Sequence, residues 1–181
     1  MRKRFINLTI IIFILFLIFH YSAANYSKEK IVKFVGAEVC AVCHQDEKIG
    51  NQSKIWEESR HSKAFVTLAS DRAIEQAADA GVKEHPQKSE FCLQCHIAGA
   101  GLDNSHFAET YKKEEGVTCE VCHGPGSEYI DPDIMQDRKK FLTNGGIIPD
   151  EKLCKNCHEE EEFIFREKYF EIKHPIPKDK K

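Results

Sequence analysis

Apolar positions along this chain recur at helical spacing or crowd into short runs. No stretch alternates apolar and polar residues at the period of two that a half-buried strand needs. In "IWEESRHSKAFVTLAS" (55–70) His61, Phe65 and Leu68 share one face at i, i+4 and i+7, which predicts an amphipathic helix whose imidazole points where apolar groups go. "SDRAIEQAADAG" (70–81) predicts another helix, with Ser70 or Asp71 as cap and Gly81 as stop; no chemistry is assigned to it. Near the end, the aromatic run "FIFREKYF" (163–170) leads to His174, where Pro175 stops any helix. "TNGG" (143–146) reads as a turn, and "PKDKK" (177–181) as a frayed tail. The expected fold class is mainly α, with short helices and irregular loops.

The strongest apolar run stands apart from this pattern. "MRKR" is followed by Phe5–Phe19, apolar except for Asn7 and Thr9, and then by Ser22-Ala23-Ala24. A basic start, an apolar middle and small residues at the exit describe a secretory signal peptide over 1–24, cleaved after Ala24, with one domain over 25–181. The protein is then periplasmic or otherwise exported. An uncleaved anchor is the alternative and would bring membrane contact, although the run is shorter than the roughly 20 residues a spanning helix needs. The formal charge is −3, and losing Arg2, Lys3 and Arg4 makes the remainder more acidic. No basic patch marks a nucleic-acid interface.

Export changes how the cysteines are read. Eight cysteines in a secreted chain would ordinarily suggest disulfides. Here all of them fall into C-x-x-C pairs, each with a histidine directly behind: "CAVCH" (Cys40, Cys43, His44), "CLQCH" (Cys92, Cys95, His96), "CEVCH" (Cys119, Cys122, His123) and "CKNCH" (Cys154, Cys157, His158). Two four-cysteine zinc sites would use the pairs and not the histidines. Thioredoxin-like couples would not need them either. With 9 histidines in 181 residues, the four coincidences have a chance on the order of 10⁻⁵ on either of those readings, whereas c-type haem attachment requires the histidine. Two thiols add across the two vinyl groups of one porphyrin, and the adjacent imidazole reaches the iron. The pattern therefore predicts four covalently attached c-type haems, with His44, His96, His123 and His158 as proximal ligands. A chain this short cannot also build a conventional core, so the porphyrins are expected to be the core.

Each iron has a second axial position. Setting aside His20 in the leader, His61, His85, His106 and His174 remain as candidate distal ligands, one for each iron. His61 and His174 rank first: His61 for its apolar helical face, His174 for the aromatic run before it. His106 falls in a loop and His85 shortly before Cys92. The short separation of His96 from Cys119 suggests that the second and third haems are neighbours.

With these residues in hand the chain resembles the tetrahaem cytochromes c of the five-fifty-four type. "FVGAEVCAVCHQDE" with "IWEESRHSKAF" resembles the family opening, in which Trp56 precedes a distal histidine in an H-x-K-A context. "EFCLQCHIAGAG" resembles the second haem site. "GVTCEVCHGPGSEY", with Gly124-Pro125-Gly126 turning the chain directly after His123, is the most specific piece. The run from Cys154 to His174 resembles the last haem site with its late distal histidine. The resemblance implies a helical wrapping, closely packed haem pairs and electron transfer, and it supports His61 and His174 as distal ligands. Two departures stand out. Family members commonly carry a histidine shortly after "CHGPG", and "SEYIDPDIMQD" has none. The type member leaves its second haem five-coordinate, a gap that His85 or His106 would fill here.

Three functions follow from this reading. The leading one is an exported tetrahaem cytochrome passing single electrons between redox-partner proteins through mostly bis-histidine haems. An enzyme acting on nitric oxide, nitrite or hydroxylamine at one open iron is the second. The third is a component of an oligomer or larger complex in which a distal histidine is supplied in trans. The acidic run Glu159–Glu162 is read as a solvated helix start in preference to a docking patch for a basic partner.

Overall fold

The structure, a computed structural model, describes residues 11, 13, 14, 16, 30–159 and 162–176. The chain separates into two compact units, Met1–Ile31 and Val32–Lys181. In the first, Ile11, Phe13, Ile14 and Phe16 are helical and exposed. The rest of the expected leader, with Ala24 and its cleavage point, lies outside the described residues, as does the tail 177–181. Among the described residues no helix is long and apolar enough to cross a membrane.

The second unit is built from short helices: α1 (Ala37–His44), α2 (Gln52–Glu58), α3 (Ala64–Thr67), α4 (Asp71–Asp79), α5 (Glu90–His96), α6 (Cys119–His123), α7 (Pro132–Met135), α8 (Arg138–Thr143), α9 (Glu151–Cys154) and α10 (Phe165–Ile172). Single 3₁₀ turns and loops join them. The one β pairing among the described residues is a parallel bridge of Phe34 to Phe107, in which Phe34 N–H donates to His106 O at 2.8 Å and Ala108 N–H to Phe34 O at 2.9 Å. The fold is mainly α, as the sequence predicts.

Local chemistry explains where the helices begin and stop. The helix expected over 70–81 is α4: Ser70 is its cap, accepting from Ala73 N–H at 3.2 Å, and Gly81 closes it at φ +75°. The helix expected over 55–70 is broken. After α2, Ser59 turns extended, and Ser62 Oγ donates to the Glu57 and Ser59 carbonyls at 2.9 and 3.0 Å. Serine side chains compete here with the helical ladder. The His61 carbonyl, which also accepts Ala64 N–H, accepts Val117 N–H at 3.0 Å, so the loop before α6 docks into the break. Gly116 allows that approach, since a Cβ there would lie 2.7 Å from the His61 oxygen. Of the acidic run, the described Glu159 and Glu162 are not helical. Glu160 and Glu161 lie outside the described residues, and α10 begins beyond the run, with Ile164 as its cap.

The buried apolar set is small: Val35, Ala37, Phe65, Leu68, Ala77, Ala98, Val117, Tyr129 and Phe141. A carboxylate clasp supplements it. Glu120, 2 % exposed, accepts Val35, Gly36 and Gly126 N–H at 2.8, 2.8 and 2.7 Å. Glu115 accepts Ala37 N–H at 2.8 Å. The segment carrying the third motif therefore caps the first turn of α1, which carries the first motif. Burial pushes the Glu120 carboxyl up, and the three N–H donors pull it back down.

Candidate functional site

Each motif closes a helix or the turn after one. The C-x-x-C spacing sets the two sulfurs of each pair on one helical face, with the histidine next in line. Three of these imidazoles are held the same way. His96 Nδ1 meets Ala64 O at 2.7 Å, His123 Nδ1 meets Ile147 O at 3.1 Å, and His44 Nδ1 meets Gln52 Oε1 at 3.1 Å. A carbonyl oxygen only accepts, so Nδ1 carries the proton and Nε2 keeps its lone pair. A second acceptor that fixes tautomer and ring orientation is the usual support of a metal-bound histidine. His158 instead stacks on Phe163, with ring centres 4.7 Å apart and planes at 11°.

The turn after the third motif is set by backbone contact. Gly124 sits at φ +82°, and a Cβ on it would lie 2.6 Å from Gly145 O. This close approach lets Ile147 N–H donate to His123 O at 2.9 Å while the Ile147 carbonyl holds the ring.

The candidate distal histidines separate into two kinds. The His61 ring centre lies 6.1 Å from that of His158, and the His174 centre 5.8 Å from that of His123. Imidazole–metal bonds run about 2 Å, so one metal ion bonded to both rings sets their centres roughly 6 Å apart. His174 therefore stands over the third motif and not over the fourth, the nearest in sequence, and His61 reaches the fourth. Burial, then the neighbouring His158, holds His61 below the usual imidazole range. Burial, with His174 and His44 beside it, does the same to His123 against the opposing Ile147 bond. Both rings are kept neutral, the form that ligates. His85 and His106 are brought to no proximal ring among the described residues. His85 is exposed and caps the Pro86–Lys88 turn, its Nδ1 accepting Gln87 N–H at 3.3 Å. His106 is half-buried, with Nδ1 3.5 Å from Asp103 Oδ1.

All eight cysteines are unpaired, and their mutual contacts order the motifs. Cys40 and Cys119 share a hydrogen bond that raises the Cys40 thiol and lowers that of Cys119. Cys157 is pushed up to about 12 by burial and by its hydrogen bond with Cys95. Cys122 is pushed up to about 11 by burial and then by the nearby Cys154. First meets third and fourth meets second through these hydrogen bonds, and Cys154 of the fourth motif lies near Cys122 of the third. The helix α1 packs on α6, which sets the first motif against the third. Among the described residues no three of His, Cys, Asp and Glu gather to hold a metal ion, so the two four-cysteine sites of the zinc reading do not form.

A cavity of about 660 Å³ opens beside the second motif, lined by Cys92, Cys95 and His96, by Ala73, Ala77 and Ala80 along α4, and by Cys157. That size falls within the roughly 300–1,000 Å³ of ordinary cofactor sites. Sequence reasoning gave α4 no part in the site. Its signal was the alanines at i, i+4 and i+7, a flat strip against which a planar group can lie. Gln52, 6 % exposed, was also missed; a lone glutamine carries no pattern.

Residues 39–124 match the family model described as cytochrome c554 and c-prime, a stretch that holds the first three motifs and stops short of the fourth. The chain is 29% identical over 139 residues to cytochrome c-554 of Nitrosomonas europaea, an alignment covering 75% of this chain and 55% of that protein. The chain thus spans about half the length of the curated relative it matches. No solved structure matches it.

Proposed function

We propose, from the premise that this chain belongs to the cytochrome c-554-type family, that it is an exported carrier of single electrons holding four c-type haems. The family implies covalently bound c-type haem; the number, the ligands and the partners are our reading. Cys40/Cys43, Cys92/Cys95, Cys119/Cys122 and Cys154/Cys157 carry the thioethers, and His44, His96, His123 and His158 ligate from one face. His61 completes the site of His158, and His174 that of His123. The observation that carries the reading is the pair of imidazole couples at 6.1 and 5.8 Å. Bound haem supplies iron that takes up and gives back one electron. The chain's own part is to hold the rings. Nδ1 acceptors fix His44, His96 and His123, and burial holds His61 below the usual imidazole range. The contact order first–third–fourth–second supports a continuous route with two ends, at which a donor and an acceptor protein would dock.

A second reading draws on the cavity at the second motif, where His96 is the one imidazole in the lining. An iron there would keep an open position, as the enzyme alternative with a small nitrogen compound requires. Intact mass and low-temperature EPR of protein made in a haem-attaching host test both readings. The carrier reading expects four haem masses and low-spin signals from the His61/His158 and His123/His174 sites, each lost in His61→Ala or His174→Ala. A colourless product overturns it. A high-spin signal of one iron that shifts with nitric oxide or hydroxylamine favours the enzyme reading.

A further inference from the structure

Of the three proximal rings held through Nδ1, two meet backbone carbonyls and one meets a side chain. That side chain, Gln52, does more than hold His44. Its Oε1 faces His44 Nδ1 at 3.1 Å, while its Nε2 donates to Ile49 O at 2.6 Å and to Pro175 O at 3.1 Å. The two carbonyl acceptors fix which end of the amide is nitrogen, so Oε1 is the atom turned to the ring and His44 must donate. Every polar atom of this buried amide is used, at 6 % exposure.

The backbone around it is bent to make this possible. Gly50 and Asn51 are consecutive left-handed residues at φ +113° and +46°, and Asn51 is the one non-glycine residue with positive φ among those described. A Cβ on Gly50 would lie 2.9 Å from Pro175 Cβ, so the loop lies directly against the segment carrying His174. Asparagine tolerates this conformation at some cost, and strain of this kind persists where the surroundings demand it. Pro175 directly follows His174, whose ring stands over His123.

We infer that Gln52 is a positioning residue joining two metal sites, through His44 at the first and through Pro175 and His174 at the third. This rests on the haem reading above. As acceptor, Gln52 sets the orientation of the His44 ring and the electron density it offers the iron, the lever by which second-shell hydrogen bonds tune a metal. As donor, it pins the far end of the chain so that His174 stays over His123. The two functions reside on opposite ends of one amide and can be separated by substitution.

The experiment uses haem-loaded full-length protein with spectroelectrochemical titration and EPR. Gln52→Leu removes both functions. Gln52→Glu keeps an acceptor for His44, now charged, and removes the donor. Gly50→Ala keeps the Gln52 side chain but sets a Cβ 2.9 Å from Pro175 Cβ and 3.0 Å from Gln52 Nε2, so it presses on the donor end of the amide and not on the Oε1 that faces His44. The expected result is that one midpoint potential rises in Gln52→Leu and the same one falls in Gln52→Glu. All three variants should gain the high-spin signal that His174→Ala produces in full. A merely structural role would shift that midpoint in the same direction in both Gln52 variants. That outcome, or unchanged midpoints, or no high-spin signal with four haems retained, overturns the inference and leaves the haem reading standing. If Gln52→Leu does not load, Gln52→Glu decides by a lowered midpoint together with the high-spin signal, and Gly50→Ala by that signal with the midpoint held; a raised or unchanged midpoint in Gln52→Glu overturns the inference. Wild-type protein carrying no haem by mass overturns the underlying reading itself.

Discussion

The third and fourth motifs have the same five-residue pattern and opposite surroundings. Around Cys119–His123, Glu120 ties together residues 35, 36 and 126. Tyr129 is buried edge-on against Phe141, with ring centres 4.8 Å apart, and its hydroxyl donates to Gly124 O. Trp56 Nε1–H donates to Val117 O at 2.8 Å. Around Cys154–His158 the helix is a single turn, capped by Asp150, which accepts Leu153 N–H at 2.9 Å, and flanked by an exposed Lys155–Glu151 pair. The difference lies in the residues between the cysteines and in what they reach: Glu120 points inward to three amides, whereas Lys155 points to solvent. The cysteines and histidine are common to both motifs, and their neighbours decide whether a motif is a hub of the fold or its periphery.

The sharpest way to break this comparison is Glu120→Ala. It leaves three amides without their acceptor and should cost about 3 kcal/mol or more, since one buried unsatisfied donor alone costs 1–3. Guanidinium unfolding of the loaded protein measures it, and a loss under about 1 kcal/mol would remove the hub's claim. Tyr129→Phe deletes only the hydroxyl and should cost about 1.5 kcal/mol in the same assay. At the periphery, Asp150→Ala removes a helix cap and should cost about 1 kcal/mol or less, because only one turn depends on it. Glu151→Gln should fall within about 0.5 kcal/mol of wild type, since the pair it breaks is exposed and screened. If either peripheral change cost as much as Tyr129→Phe, the two motifs would be equally anchored.

Much of the site was legible beforehand because its signals are local. A C-x-x-C-H unit sets two thiols and an imidazole side by side through its spacing alone, without help from the fold. The α4 helix was legible through Ser70 and Gly81, whose capping roles act within a few residues. The pairing of histidines was not. His174 follows the fourth motif closely in sequence and stands beside His123 of the third in space, where Pro175 accepts from Gln52 across the molecule. The break at Ser59 was hidden because apolar spacing at 61, 65 and 68 fits a continuous helix equally well. What decides against one is a loop from residues 116–117 that needs the His61 carbonyl.

By itself, then, the sequence determined the helical class, the four motifs and the set of imidazoles available to face them. Each follows from periodicity, capping or bond geometry acting over a few residues. Tertiary structure decided which ring faces which, which sulfurs are neighbours and which motif is the hub. Those outcomes depend on contacts between residues tens of positions apart, Glu120 with Val35, His61 with His158 and Gln52 with Pro175, and no short-range pattern encodes them.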